Sequence, residues 1–177
     1  EQMIAAMNIL DGDAAAFDSR MFVTFGNHEF ERGKLKDAAM LDSRIEASQF
    51  RWLVANVAFR NGADGAPLIA APNLARTAIV ESGGLKIGIV GIMIPTMGVE
   101  YVTDYAGEQA IARAETAALH AKGADVVVAL THLNAANDRA ILRTLGADGP
   151  DLIIGGHDHD AMAEDVGGRW LLKADAD

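Results

Sequence analysis

Short apolar runs alternate along the chain with stretches whose apolar residues recur every three or four positions, and that alternation predicts strands interleaved with helices. The runs "MFVTF" (21–25), "RWLVANV" (51–57), "DVVVAL" (125–130) and "DLII" (151–154) read as strands. "DVVVAL" is too apolar to alternate, as expected of a strand covered on both faces. Gly83-Gly84 between "ARTAIVES" and "LKIGIVGIM" predicts a two-residue hairpin, and "VGGRWLLKA" a final hairpin. Helical periodicity predicts helices over "EQMIAAMNIL", "LKDAAMLDSRIEAS", "EQAIARAETAALHAKG" and "DRAILRTLGA", the third stopped by Gly123. Met3, Met7 and Leu10 form one stripe of the first helix and read as core. Trp52 and Trp170, on strands, read as packing residues. "RNGADGAP" (60–67) is a loop. Strands alternating with helices, plus hairpins, give an α/β fold in one domain over residues 1–177, without internal repeat or linker.

Charge and composition narrow what such a domain could bind. Half of the 177 residues are apolar, yet no apolar run approaches the ~20 residues of a membrane span. The net charge is −10, from 25 acidic and 15 basic residues, which disfavours a nucleic-acid polymer as partner. A small anion needs a local source of positive charge, and without a Lys/Arg cluster metal ions are the candidates. The absence of cysteine removes disulfides, thiolate metal sites and thiol nucleophiles, and leaves the compartment open. The first residues show no signal peptide and enter directly into a helical pattern, so the chain is expected to be part of a longer protein.

The polar residues are sorted. In α/β sheets, ligands collect beyond the carboxyl ends of the strands. "MFVTF" runs into "GNHEFE" (26–31), "DVVVAL" into "TH" (131–132) and "DLII" into "GGHDH" (155–159). Four of the five histidines fall in these turns; the fifth, His120, lies near a helix C-terminus where it suits the dipole. Any one turn alone would pass for a loop. Together, imidazole nitrogens and amide or carboxylate oxygens are ligands for Mn, Zn, Fe, Co or Ni, which makes Asn27, His132, His157 and His159 candidate metal ligands. His28, Glu29 and Glu31 remain for other work, and Asp158 is expected to point outward or brace its loop rather than ligate.

"GNHEFERG", the "TH" after an apolar strand and "GGHDH" resemble the later metal-binding blocks of calcineurin-like metallophosphoesterases, the 5'-nucleotidase branch above all. The helix before GNHE, "WLVANV" after it and "KIGIVGIMIPT" extend the resemblance over nearly the whole chain. It implies a sandwich of mixed sheets flanked by helices. Asn27, His132 and His157 would bind one divalent ion and His159 its neighbour. His28 would stabilise the phosphoryl transition state or protonate the leaving oxygen, oriented by Glu31, where the branch typically has Asp. The D-x-H and G-D blocks that begin the family pattern do not precede Asn27. Gly12-Asp13 stands only 14 positions before it (27 − 13 = 14), and Asp13 reads as a decoy in a connection. The chain is thus expected to be a partial catalytic domain lacking its N-terminal strands. It would hold at most one of two metals well, and would self-associate through an exposed sheet edge. The implied substrate is a small phosphorylated molecule, a nucleotide first, and the implied location periplasmic or extracellular. A non-catalytic domain binding one metal or a protein is the alternative, as is a hydrolase of cyclic phosphodiesters, UDP-sugars or sulfur esters.

Overall fold

The apolar runs form three sheets in the computed structural model, which describes residues 2–175. Glu1 of the predicted first helix and the last two residues of the predicted domain lie outside the described residues. Helix α1 (Gln2–Met7) is shorter than its periodicity suggests. It leads to strand β1 (Phe22–Thr24), helix α2 (Ala38–Glu46), and strands β2 (Arg51–Leu53), β3 (Val57–Phe59), β4 (Leu74–Ala75), β5 (Thr77–Ser82), β6 (Leu85–Met93) and β7 (Val102–Tyr105). Helix α3 (Glu108–Ala121), β8 (Val126–His132), α4 (Ala135–Leu145), β9 (Leu152–Gly155), β10 (Met162–Asp165) and β11 (Trp170–Lys173) complete the order. The α/β class and the mixed sheets flanked by helices are as expected.

The central six-stranded sheet runs β10-β11-β9-β8-β6-β5, with β6, β8, β9 and β11 parallel and β5 and β10 antiparallel at its edges. Gly83 and Gly84 sit at φ 59° and 82° in the β5–β6 turn, the backbone a two-residue hairpin of this kind requires. One face of the sheet, through Val127, Ala129, Ile153 and Leu171, packs on Ala112 and Leu119 of α3 and Ile141 and Leu142 of α4. The other meets the parallel sheet β1-β2-β4, whose own core joins Phe25, Phe50 and Trp52 to Leu41 and Ile45 of α2. Trp52 stacks on Phe25 with ring centroids 4.9 Å apart.

The predicted strand 51–57 breaks in two, and the break joins the layers. Strand β5 stops pairing with β6 at Val90, leaving the next backbone groups of β6 without a strand on that side. Residues 53–56 fill the place. Ala55 N–H donates to the Gly91 carbonyl at 2.8 Å, while the buried Asn56 amide donates to Met93 O at 2.8 Å and accepts Met93 N–H at 3.0 Å. A Cβ on Gly91 would stand 2.0 Å from Leu53 O, so only glycine admits this crossing. After it the chain re-enters a sheet as β3, paired with β7, which the sequence pattern did not predict.

Other expectations need correction. Met3 and Leu10 are 75% and 71% exposed, because α1 docks through Met7 and through Asn8, whose side chain bonds Ala47 O and Gln49 N–H. Trp170 is half exposed, and with Ile154 and Leu172 lies on the face that the three-stranded sheet covers over β6 and β8 but not over β9 and β11. Helix α4 starts three residues earlier than its periodicity, where the Asn134 side chain caps it by accepting Asn137 N–H at 2.9 Å. Among the described residues no helix is long and apolar enough to cross a membrane.

Asn56→Ala leaves two buried backbone groups of Met93 unpaired, and unfolding in urea should show a loss of about 1–3 kcal/mol; a loss below about 0.5 kcal/mol would contradict this account of the crossing.

Candidate functional site

The strand ends bring the candidate side chains to one rim. Met93, His132 and the end of β6 are locked in register, with the His132 carbonyl accepting Ile94 N–H at 2.9 Å. Strand β9 ends one residue short of the turn bearing His157, and Gly156 N–H donates to Thr131 O at 3.2 Å. From the facing sheet, β1 delivers Phe25 to the core and Gly26 to the rim, where a 3-10 turn (Asn27–Phe30) begins. Glu29 accepts Gly26 N–H at 2.7 Å and closes that turn, so its carboxylate has a structural task. A Cβ on Gly26 would stand 2.9 Å from His132 Cε1; the missing side chain is the space in which the imidazole sits.

Three donors meet there. His132 Nε2 lies 3.0 Å from Asn27 Oδ1 and 3.3 Å from His157 Nδ1, the two rings edge to face with centroids 5.0 Å apart. Ligand atoms about 2.0–2.1 Å from one divalent ion stand about 2.9–3.4 Å from each other, so the donors suit such an ion in chemistry and both distances from His132 Nε2 fall in that range. His159 is exposed and makes no hydrogen bond among the described residues, although its charge bears on His132. Among the described residues no group of three or more His, Cys, Asp or Glu side chains clusters for a metal; the set reaches three only with the Asn27 amide.

Burial, then the positive charges that His157, His28, Lys173 and His159 would present, push His132 down to about 4. The ring is therefore a neutral donor at ordinary pH, the form that binds metal. His28, the next residue after Asn27, is exposed, and its Nδ1 lies 2.6 Å from Glu31 Oε1. The extra methylene of Glu31 does not prevent the contact. That hydrogen bond, followed by the carboxylate's charge, raises the His28 pKa.

The turn that carries His157 and His159 is strained. Both histidines have positive φ, 79° and 61°, in the left-handed region that costs a side chain roughly 1–2 kcal/mol. Asp158 between them braces the loop, one of the two outcomes expected of it: it accepts Ala135 N–H at 3.2 Å and pairs with Lys173. Burial works against its ionisation, but the Lys173 and Ala135 hydrogen bonds outweigh it and hold the carboxyl below its usual range. Lys173 and the Asp138 it also meets were missed in the sequence reading. Strand alternation carried the signal, since it puts Lys173 on the same face as Leu171, where a cation needs an acid. Asp13 sits in an exposed turn, accepting Ala15 N–H at 3.0 Å, and His120 Nδ1 lies 2.8 Å from Ala124 O at the end of α3.

Comparison with known proteins agrees with the expected resemblance. A family model described as calcineurin-like phosphoesterase matches residues 5–161. An apyrase of Anopheles gambiae is 26% identical over 146 residues, covering 79% of this chain and 24% of its own. A solved 5'-nucleotidase precursor of Thermus thermophilus superposes with TM-score 0.67 at 24% identity, over 88% of this chain and 32% of that one. A sulfate thiohydrolase of the same organism gives TM-score 0.67 at 21% identity, over 88% and 28%. The solved structures establish the shared fold. The chain spans about a quarter of the length of the curated relatives it matches.

The His132 assignment makes a pH prediction. With a folded value near 4 against an unfolded value near 6.5, the metal-stripped folded chain binds fewer protons between those limits. Stability then rises with pH across that window, by at most about 3 kcal/mol from this ring. The His132 ring resonance should titrate near pH 4 in a chelator-treated sample; a midpoint above pH 6 would contradict the burial argument.

Proposed function

The chain belongs to the calcineurin-like phosphoesterase family, and from that premise we propose that it is part of the catalytic domain of a metal-dependent phosphoester hydrolase of the 5'-nucleotidase type. The substrate class is a small phosphorylated molecule, nucleotides first. The observation that supports this most is the meeting of Asn27 Oδ1, His132 Nε2 and His157 Nδ1 at 3.0 and 3.3 Å on one rim of the sheet. We assign those three side chains to one divalent cation and His159 to a neighbouring one. We propose that this chain alone holds at most one ion firmly, through Asn27, His132 and His157.

When bound, divalent cations supply the charge that draws phosphate and lower the pKa of the attacking water. The chain's own part is positioning and proton control. His28 stands one residue from Asn27, so a phosphoryl group held at the rim lies within its reach. With Nδ1 engaged by Glu31, Nε2 is left to face a phosphoryl or leaving oxygen. The imidazole therefore meets developing charge with a fixed orientation. On the same resemblance we place the protein in the periplasm or outside the cell.

Activity is tested with an aryl phosphate and Mn, Co or Zn, using a version extended upstream to carry D-x-H and G-D blocks. Hydrolysis should vanish with chelator. His28→Ala should lower kcat by about 10²–10⁴-fold, and His157→Ala should raise the metal requirement. An extended, metal-loaded protein that stays inactive would overturn the hydrolase reading.

Exposed Ile154, Trp170 and Leu172 on one sheet face, together with β1 at the edge of its sheet, support self-association of the chain by itself. Light scattering should report dimers or larger species that Trp170→Glu reduces; a monodisperse monomer would count against it.

A further inference from the structure

Behind the rim lies a buried ion cluster that the chemistry above does not use. Register sets Thr131 of β8, Gly155 of β9 and Lys173 of β11 in one row on the helix-facing side of the sheet. The Lys173 side chain is fully buried. Its ammonium donates to Leu133 O at 2.6 Å and to Asp138 Oδ2 of α4 at 2.8 Å, and it pairs with Asp158. Two of the ammonium's three donors are used by Leu133 O and Asp138 Oδ2, and the Asp158 carboxylate adds an ion pair. Gly155 makes the arrangement possible: a Cβ there would stand 2.7 Å from Thr131 Oγ1 and 3.3 Å from both Asp138 Oδ2 and Lys173 Cε.

Each acceptor belongs to a different part of the site. Leu133 directly follows His132, and Asp138 lies on the first turn of α4. Asp158 stands between the two left-handed histidines and also holds Ala135 N–H. One buried cation therefore ties the turn after β8 to the turn after β9, the two turns whose imidazoles approach to 3.3 Å. Two side chains at positive φ strain that turn, and the Lys173–Asp158 pair joins the Ala135 N–H bond to Asp158 in holding it.

We propose that Lys173 is a positioning residue for the cation site: by anchoring Asp158 and Leu133 together it holds His157 against His132 and Asn27. The proposal rests on the reading of those three side chains as ligands. Lys173 lies beyond the residues that the family model matches, and a chain cut at the end of that span would lose the tie along with β11.

The test is titration of the full chain with Mn²⁺, following free Mn²⁺ by electron paramagnetic resonance, at a temperature where circular dichroism shows each variant folded. Lys173→Met and Asp158→Asn should each weaken Mn²⁺ binding by about 10–100-fold, the range for groups that orient a ligand from behind. The double variant should bind no more weakly than the weaker single one, because both cut the same tie. A purely structural lysine predicts a lower Tm with Mn²⁺ affinity unchanged, and any loss under tenfold in folded Lys173→Met overturns the proposal. If Lys173→Met does not fold, Asp158→Asn decides by the same tenfold threshold, since it leaves Lys173 paired with Asp138. His132→Ala tests the ligand reading separately. If the unaltered chain binds no Mn²⁺, or His132→Ala binds as well, that reading fails and carries this proposal with it.

Discussion

The parallel register of β6, β8, β9 and β11 is the constraint on which the rest depends. Parallel strands end together, so the residues that follow them share one rim. Met93 opposite His132, and Thr131 opposite Gly155 opposite Lys173, fix the height of that rim to a single residue. A slip of one position in β8 would turn His132 toward the helices and bring Thr131 to the rim. The register is guarded from both sides: by α3 and α4 on one face, and by the Asn56 amide bracketing Met93 on the other. The contact between Asn27 and His132, 105 positions apart, thus follows from backbone pairing and sheet packing more than from any attraction between the two side chains.

On that frame the site is arranged against local preference. His157 and His159 adopt a backbone conformation that favours glycine, and a lysine is buried where a leucine would pack. The two costs are linked. Asp158 offsets the strain of the histidine turn through Lys173, while Lys173 is tolerable in the core because Asp138 and Asp158 surround it. Burial raises the Asp138 carboxyl even so, against the effect of the lysine. Such a cluster contributes little net stability compared with an apolar core, but it favours one geometry, and that would suit the turn if its histidines hold a cation as proposed.

Periodicity in the sequence carried the strands that matter, because runs as apolar as "DVVVAL" and "DLII" leave no polar side to confuse the pattern, even though Ile154 ends up exposed. It carried the candidate side chains too, since histidines at strand ends are a local signal. It did not carry the break at Val54–Asn56, where an apolar stretch leaves one sheet to complete another; that is decided by where β5 begins, some twenty positions later. The exposure of Met3, Leu10 and Trp170 was equally hidden, because an apolar stripe states what a face prefers and not whether another element reaches it. Lys173 and Asp138 lay between these cases. Each was visible as a charge at a buried position of its own element, but only the fold pairs the two.

A net charge of −10 bears on how a phosphate could approach such a rim. Glu29 and Glu31 flank His28, Lys34 is paired with Glu100 at 2.9 Å, and Lys173 is sealed behind the sheet among carboxylates. These groups present no surplus of positive charge to an anion. The same field concentrates divalent cations, and donors that are neutral at ordinary pH, the Asn27 amide and the His132 imidazole, hold a cation without cancelling its charge. On the proposed assignment, a loaded ion keeps nearly its full +2 at the rim and is a concentrated local source of positive charge. On that same proposal, a phosphate would be drawn to the rim chiefly once the ion is loaded, which would link binding to catalysis, since the ion that attracts the anion is also the one that would activate water.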